Sequence, residues 1–236
     1  MKKTLPLFFL LVISTLSACA SQEVSTPTPL PAPAAETQMP TAIPPTTQVP
    51  SANRKDYANS AFGLAFQFPS NWFGPDEYIS GQDLRVAVGS DVVYPYGGTQ
   101  PEQPSKVKNS YIIVIQYSKH NQNSYWEDTY QSLLNLKDGK FFSGPRSLVT
   151  RVRQLNPGRF VGFEYITTLP EAAQTDPVYI REVMLFDKQS NDLLTIMGTL
   201  NNVEVSAGSD WRAVYRKIDE ANLAIFHDIV GSITLK

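Results

Sequence analysis

The sequence predicts an α+β domain: a central antiparallel β-sheet with helices packed on its faces. Three observations lead there. Apolar residues recur with a period of two in several short segments, as in Phe62, Leu64, Phe66 and Phe68, the mark of half-buried strands. The runs between residues 148 and 200 are joined by turns too short for crossovers, which makes neighbours antiparallel. Two segments switch to helical spacing, one before and one after those runs. The order strands, helix, strands, helix gives the class.

Each element has its own signal. The opening strand runs through AFGLAFQFP, is ended by Pro69, and Trp72 folds back on it. Leu84–Val88 is a second strand, stopped by Gly89. Residues 89–109 carry three Pro and three Gly with no periodicity and read as the longest loop of the domain. Tyr111–Ile115 is apolar on both faces, which predicts a central strand. Ser124 and Glu127 form a capping box for a helix whose inner face carries Trp126, Tyr130, Leu133 and Leu134, and Gly139 can end it. The segments 148–155, 159–168, 178–186 and 193–200 form a meander, with turns at Asn156-Pro157-Gly158 and Asp187–Asn191. A last helix over 210–230 places Trp211, Val214, Tyr215, Ile218, Ala221, Ile225 and Ile229 on one face, so Trp72 and Trp211 are both expected in the core. A short extended tail, Gly231–Leu235, follows.

The first strand closes in Phe66-Gln67-Phe68-Pro69-Ser70-Asn71-Trp72, and the last helix passes from Phe226 into Ser232-Ile233. These two ends resemble the PsbP-like and Mog-type domains. The resemblance covers most of residues 56–236 in layout and only the ends in motif. It implies a central antiparallel sheet between helices. That family includes photosystem accessory proteins, a Ran-binding factor and many bacterial lipoproteins of unassigned role. The matching residues are core residues, so no functional role transfers with them.

The N-terminus is organised differently. Lys2 and Lys3 precede an apolar run from Leu5 to Leu16, which is the pattern of a secretory signal and too short to span a bilayer. The run ends in Leu16-Ser17-Ala18-Cys19. That tetrapeptide resembles the lipobox of bacterial lipoproteins. The resemblance implies removal of residues 1–18 and a diacylglycerol on the Cys19 thiol, with acylation of the new amino group. Several acyl chains hold a protein stably at a membrane where one does not. Residues 19–53 then contain TPTPLPAPAAETQMPTAIPPTTQVP, which holds eight of the 18 prolines, and from Ala20 to Asn53 there is no aromatic residue, Lys or Arg. Such a stretch cannot bury enough apolar area to offset its ordering entropy. It reads as a tether in extended polyproline form, reaching on the order of 100 Å. Residues 54–236 hold 24 of the 26 aromatics and form one domain.

Composition excludes several functions. With 20 Lys+Arg against 22 Asp+Glu no basic surplus exists to bind nucleic acid. One Cys and two His leave no material for a disulfide framework or a His-rich zinc site. No P-loop, dinucleotide fingerprint or nucleophile elbow is present, and no cofactor is expected. His120 falls in a solvated loop and His227 late in the last helix. Asp187, Ser190, Asn191 and Asp192 lack calcium-loop spacing and suit a hairpin turn. Arg151, Arg153 and Arg181 suit a solvated sheet face or a cross-strand pair with Glu164, with an anion site as the alternative. The loop centre Tyr94-Pro95-Tyr96-Gly97-Gly98 is the favoured contact surface, because Tyr supplies contact area at low entropic cost. The expected function is a non-enzymatic binding or assembly module, held outside the cytoplasm by membrane lipid through Cys19 and meeting a protein partner in the cell envelope through Tyr94 and Tyr96. The alternative is a small-ligand carrier or a hydrolase with a site hidden in the fold.

Overall fold

The computed structural model describes residues 53–93, 95–96, 106–121, 126–141, 147–169 and 177–236. The chain divides into two units, Met1–Ile43 and Pro44–Lys236, and all described residues fall in the second. Cys19, the tether, Tyr94 and the Ser124 cap lie outside the described residues.

The domain is mostly β, and this corrects the α+β expectation. The strands are β1 (Arg54–Asn59), β2 (Leu64–Pro69), β3 (Phe73–Ser80), β4 (Asp83–Gly89), β5 (Ser110–Ser118), β6 (Lys140–Phe141), β7 (Leu148–Leu155), β8 (Phe160–Thr168), β9 (Tyr179–Asp187), β10 (Leu193–Asn201) and β11 (Thr234–Leu235). They make two antiparallel sheets, one of three strands in the order β1-β2-β11 and one of eight in the order β3-β4-β5-β10-β9-β8-β7-β6. The described helices are short α1 (Trp126–Leu134) and long α2 (Trp211–Ser232). Among the described residues the helical layers that the resemblance implies are reduced to short α1 on part of the outer face and to α2 on the inner face. The layer facing the large sheet is shared by the small sheet and the second half of α2. The difference arises at β1, β3 and β11. β1 buries only Tyr57 and β3 buries no side chain, so neither shows the apolar alternation that marks a strand in sequence.

The meander is as its turns dictate: β7, β8, β9 and β10 pair in sequence order, and β10 closes onto β5. β5 lies third in the large sheet, between β4 and β10, so its Tyr111, Ile113, Ile115 and Tyr117 are almost wholly buried. Alternation sorts the side chains. On the inner face these four pack with Leu84, Val86, Val88, Val183, Leu185, Leu194 and Ile196 against Phe66 and Phe68 of β2 and Phe226 and Ile229 of α2. On the outer face Phe163, Tyr165 and Phe186 pack with Val149 and with Tyr130 and Leu133 of α1.

Two helix expectations change. Asp210 caps α2 by accepting from the Arg212 N–H at 3.0 Å, but the buried helix residues are Asp219, Phe226 and Ile229. Trp211 is only half-buried and packs edge-on to Tyr215 at 5.5 Å. Trp72, by contrast, is 5% exposed. Leu134, placed on the inner face of α1 by its spacing, is exposed.

Candidate functional site

A concavity opens on the inner face, between the β7–β8 hairpin and the end of α2. It is a cleft of about 770 Å³, within the range of small-molecule sites. Its floor is Leu185, Leu194 and Ile196, from neighbouring β9 and β10. Leu155 and Phe160 form one wall, and Val230, Ile233 and Leu235 the other. Arg153, Arg159 and His227 stand on the rim.

Each rim group is held from behind. Arg159 donates through Nε to Asp187 at 3.0 Å and through a terminal nitrogen to Asp192 at 3.3 Å, with about half its side chain exposed. Those carboxylates are themselves built into the β9–β10 turn. Asp187 accepts from the Gln189 N–H at 2.9 Å and the Ser190 hydroxyl at 2.8 Å. Burial pushes its pKa up, but these hydrogen bonds and Arg159 outweigh burial and hold it below the ordinary value. Asp192 accepts from the Tyr117 hydroxyl at 2.5 Å and the His120 N–H at 2.9 Å. The turn is thus closed on protein donors, as its hairpin sequence suits. No cluster of three metal-ligating side chains occurs among the described residues.

Arg153 donates to Glu164, its register partner on β8, which realises the cross-strand pair. Arg151 instead reaches Glu220 of α2 at 2.8 Å. His227 Nε2 lies 2.9 Å from Glu164 Oε1. Behind them runs a buried charge relay of contacts. Arg181 donates through Nη1 to Glu164 at 2.6 Å and grips Asp219 with two nitrogens, at 3.0 and 2.6 Å. The Tyr111 hydroxyl donates to Asp219 at 3.0 Å. Asp219 is wholly buried, and the Arg181 and Glu164 side chains are 5% and 4% exposed.

The electrostatics follow from this wiring. Burial raises the Glu164 pKa, but hydrogen bonds from His227 and Arg153, and their charges, prevail and hold it down to about 2. Burial works against the Arg181 cation, yet Asp219 and Glu164 raise its pKa on balance. Burial, then Asp219, raises the Tyr111 hydroxyl. Asp219 and His227 are eight residues apart, about two helical turns, so both point to the sheet. The network therefore fixes α2 over β8 and β9 and sets His227 at the mouth of the cleft. The His227 ring nitrogen hydrogen-bonds to Glu164 and lies 3.5 Å from Arg153, and neither partner is a hydroxyl nucleophile. The arrangement can hold a ligand with an apolar body and a polar end.

Of the expected contact residues, Tyr94 lies outside the described residues and Tyr96 is 54% exposed. Tyr96 is far from the cleft in topology: it packs on Tyr78 of β3 and on Arg85 of β4 at the other end of the sheet. His120 sits in a turn, with its Nδ1 3.0 Å from the Ser190 carbonyl. Arg153, His227 and the Asn156-Pro157-Gly158 turn stand out in the sequence one by one, but no motif joins them into a cleft, because its lining comes from four separated segments. The one local signal was the Arg153–Glu164 register.

No family model matches this chain, and no curated protein matches it. Among solved structures it is similar to a crystal structure from Bacteroides thetaiotaomicron VPI-5482, at 12% identity and a TM-score of 0.35, covering 78% of this chain and 49% of that one. The chain thus spans about half the length of that protein.

Proposed function

We propose that this chain is a membrane-anchored extracytoplasmic lipoprotein whose domain is a non-enzymatic binding module, and that its ligand is a small amphiphile with an anionic or hydrogen-bonding end. The observation that carries the reading is the apolar cleft of about 770 Å³ rimmed by Arg153, Arg159 and His227. An aliphatic body gains by leaving water for Leu185, Leu194 and Ile196, at roughly 25 cal/mol per Å² buried. The guanidinium groups retain exposed donors for a carboxylate or phosphate. The lipobox places Cys19 at the membrane, where amphiphiles are concentrated, and the tether keeps the domain within reach of them. No described helix is long and apolar enough to cross a membrane, and the reading needs none.

The test uses the full-length chain and 11-(dansylamino)undecanoic acid as the probe. Binding at one probe per chain is expected, with Ile196→Trp, which fills the floor, abolishing it at an unchanged fold. Organic extraction of the purified protein should release a copurifying amphiphile detectable by mass spectrometry. A chain that neither binds the probe nor yields such a compound defeats the proposal. The anchor is tested separately: Cys19→Ser should move the protein out of the membrane fraction.

A further inference from the structure

A second site lies at the opposite end of the large sheet, on its outer face. Pairing registers place Tyr78, Arg85 and Gln116 directly opposite one another across β3, β4 and β5, and Ser80, Asp83 and Ser118 in the next row on the same face. Tyr96 closes over the first row, its ring centroid 4.9 Å from that of Tyr78 with the planes 53° apart. The Arg85 guanidinium lies 4.9 Å from the Tyr96 ring centre and is held by Asp76 at 3.3 Å. Together these residues line a concavity of about 400 Å³. Large aromatic side chains normally hide, yet Tyr78 is 42% and Tyr96 54% exposed.

We propose that this concavity binds a neutral saccharide. A pyranose has C–H faces that pack on an aromatic ring and a perimeter of hydroxyls that both donate and accept. The site supplies both kinds of surface: two Tyr rings, and around them the donors of Arg85, the amide of Gln116, the hydroxyls of Ser80 and Ser118 and the carboxylate of Asp83. Its charge argues for a neutral ligand. Arg85 is balanced by Asp76, and Asp83 adds a negative charge, so a phosphate or a carboxylate headgroup meets no net attraction. The site is separate from the amphiphile cleft and does not depend on it.

The experiment is saturation-transfer NMR and calorimetry on the full-length chain with cellotetraose, maltotetraose, chitotetraose and mannotetraose. At least one should bind, with transfer strongest to the C–H protons of one ring. Tyr78→Ala and Tyr96→Ala should each weaken it roughly tenfold or more, while Ile196→Trp leaves it unchanged. Both Tyr side chains are exposed, so the variants should melt with the parent, and circular dichroism checks this. Failure of all four sugars to bind overturns the proposal. So does binding that survives the double Tyr variant, or retention of a protein or peptide by these rings in place of any sugar.

Discussion

Glu164 carries the clearest pH signature. Its carboxyl is held at about 2 against an ordinary value of 4.5. A depressed folded-state pKa adds stability that is full above the ordinary value and is lost as pH falls through the folded one. Stability should therefore decline between about pH 4.5 and 2 by an amount on the order of 3 kcal/mol from this group. Glu164→Gln should flatten that part of the curve, measured by urea unfolding at a series of pH values. An unchanged slope would show that other carboxylates carry the acid sensitivity. A second residue-scale expectation concerns Gly198, opposite Ile113 and Arg181 in the sheet. A Cβ there would come within 2.1 Å of the Tyr111 hydroxyl. Gly198→Ala should displace Tyr111 from Asp219 and destabilise by about 2–4 kcal/mol, whereas Tyr111→Phe/Gly198→Ala should recover part of the loss. A melting temperature unchanged in Gly198→Ala would refute the close approach.

Among the elements, α2 shows how far periodicity reaches. The i, i+3, i+4 pattern marks the helix but only part of its inner stripe: Ile229 is buried as the spacing predicts, Phe226 beside the stripe is buried as well, and Ala221 on it is exposed. It fails in the first half, where Trp211 and Tyr215 pack on each other and the stripe meets less sheet. Phe226→Ala should cost about 3–5 kcal/mol and Trp211→Ala about 1 kcal/mol or less, as read from denaturant midpoints; equal costs would contradict this division. The same limit explains the strands. β8 and β9 were legible because each is a long run rich in buried apolar residues with a tight turn at one end, 156–159 before β8 and 188–192 after β9. β1 and β3 were not, because an edge or covering strand held by backbone pairing needs no apolar repeat. β3 in particular has Phe73, Tyr78 and Ile79 exposed. Polar pairing marks α2 too: Asp219 on its inner face breaks the hydrophobic pattern and is satisfied by Arg181 and Tyr111, whose placement no local sequence reveals.

At the scale of the whole chain, limited proteolysis should release a resistant fragment beginning near residues 50–56, because the Pro/Thr stretch has too few large apolar residues to build a protecting core. Cleavage inside the domain before the tether would move that boundary. The cleft was illegible for a topological reason: residues 153–160, 185, 194–196 and 227–235 meet only after the meander and α2 are in place. Tyr96 was legible as an aromatic in an aperiodic segment, while its partners Tyr78 and Arg85 were hidden in strands. The small sheet carries a further consequence. Its middle strand, β2, takes β11 as its second neighbour, and the Gln67 N–H donates to Ser232 Oγ across 165 positions of sequence. Arg54 likewise reaches Asp228 across 174. A two-stranded ribbon is at best marginal alone, and contacts this distant in sequence close slowly. The first ribbon made is therefore among the last to become stable. Until α2 arrives, Phe66 and Phe68 lack the cover of Phe226 and Ile229, so the C-terminal end of the chain is what completes the N-terminal ribbon.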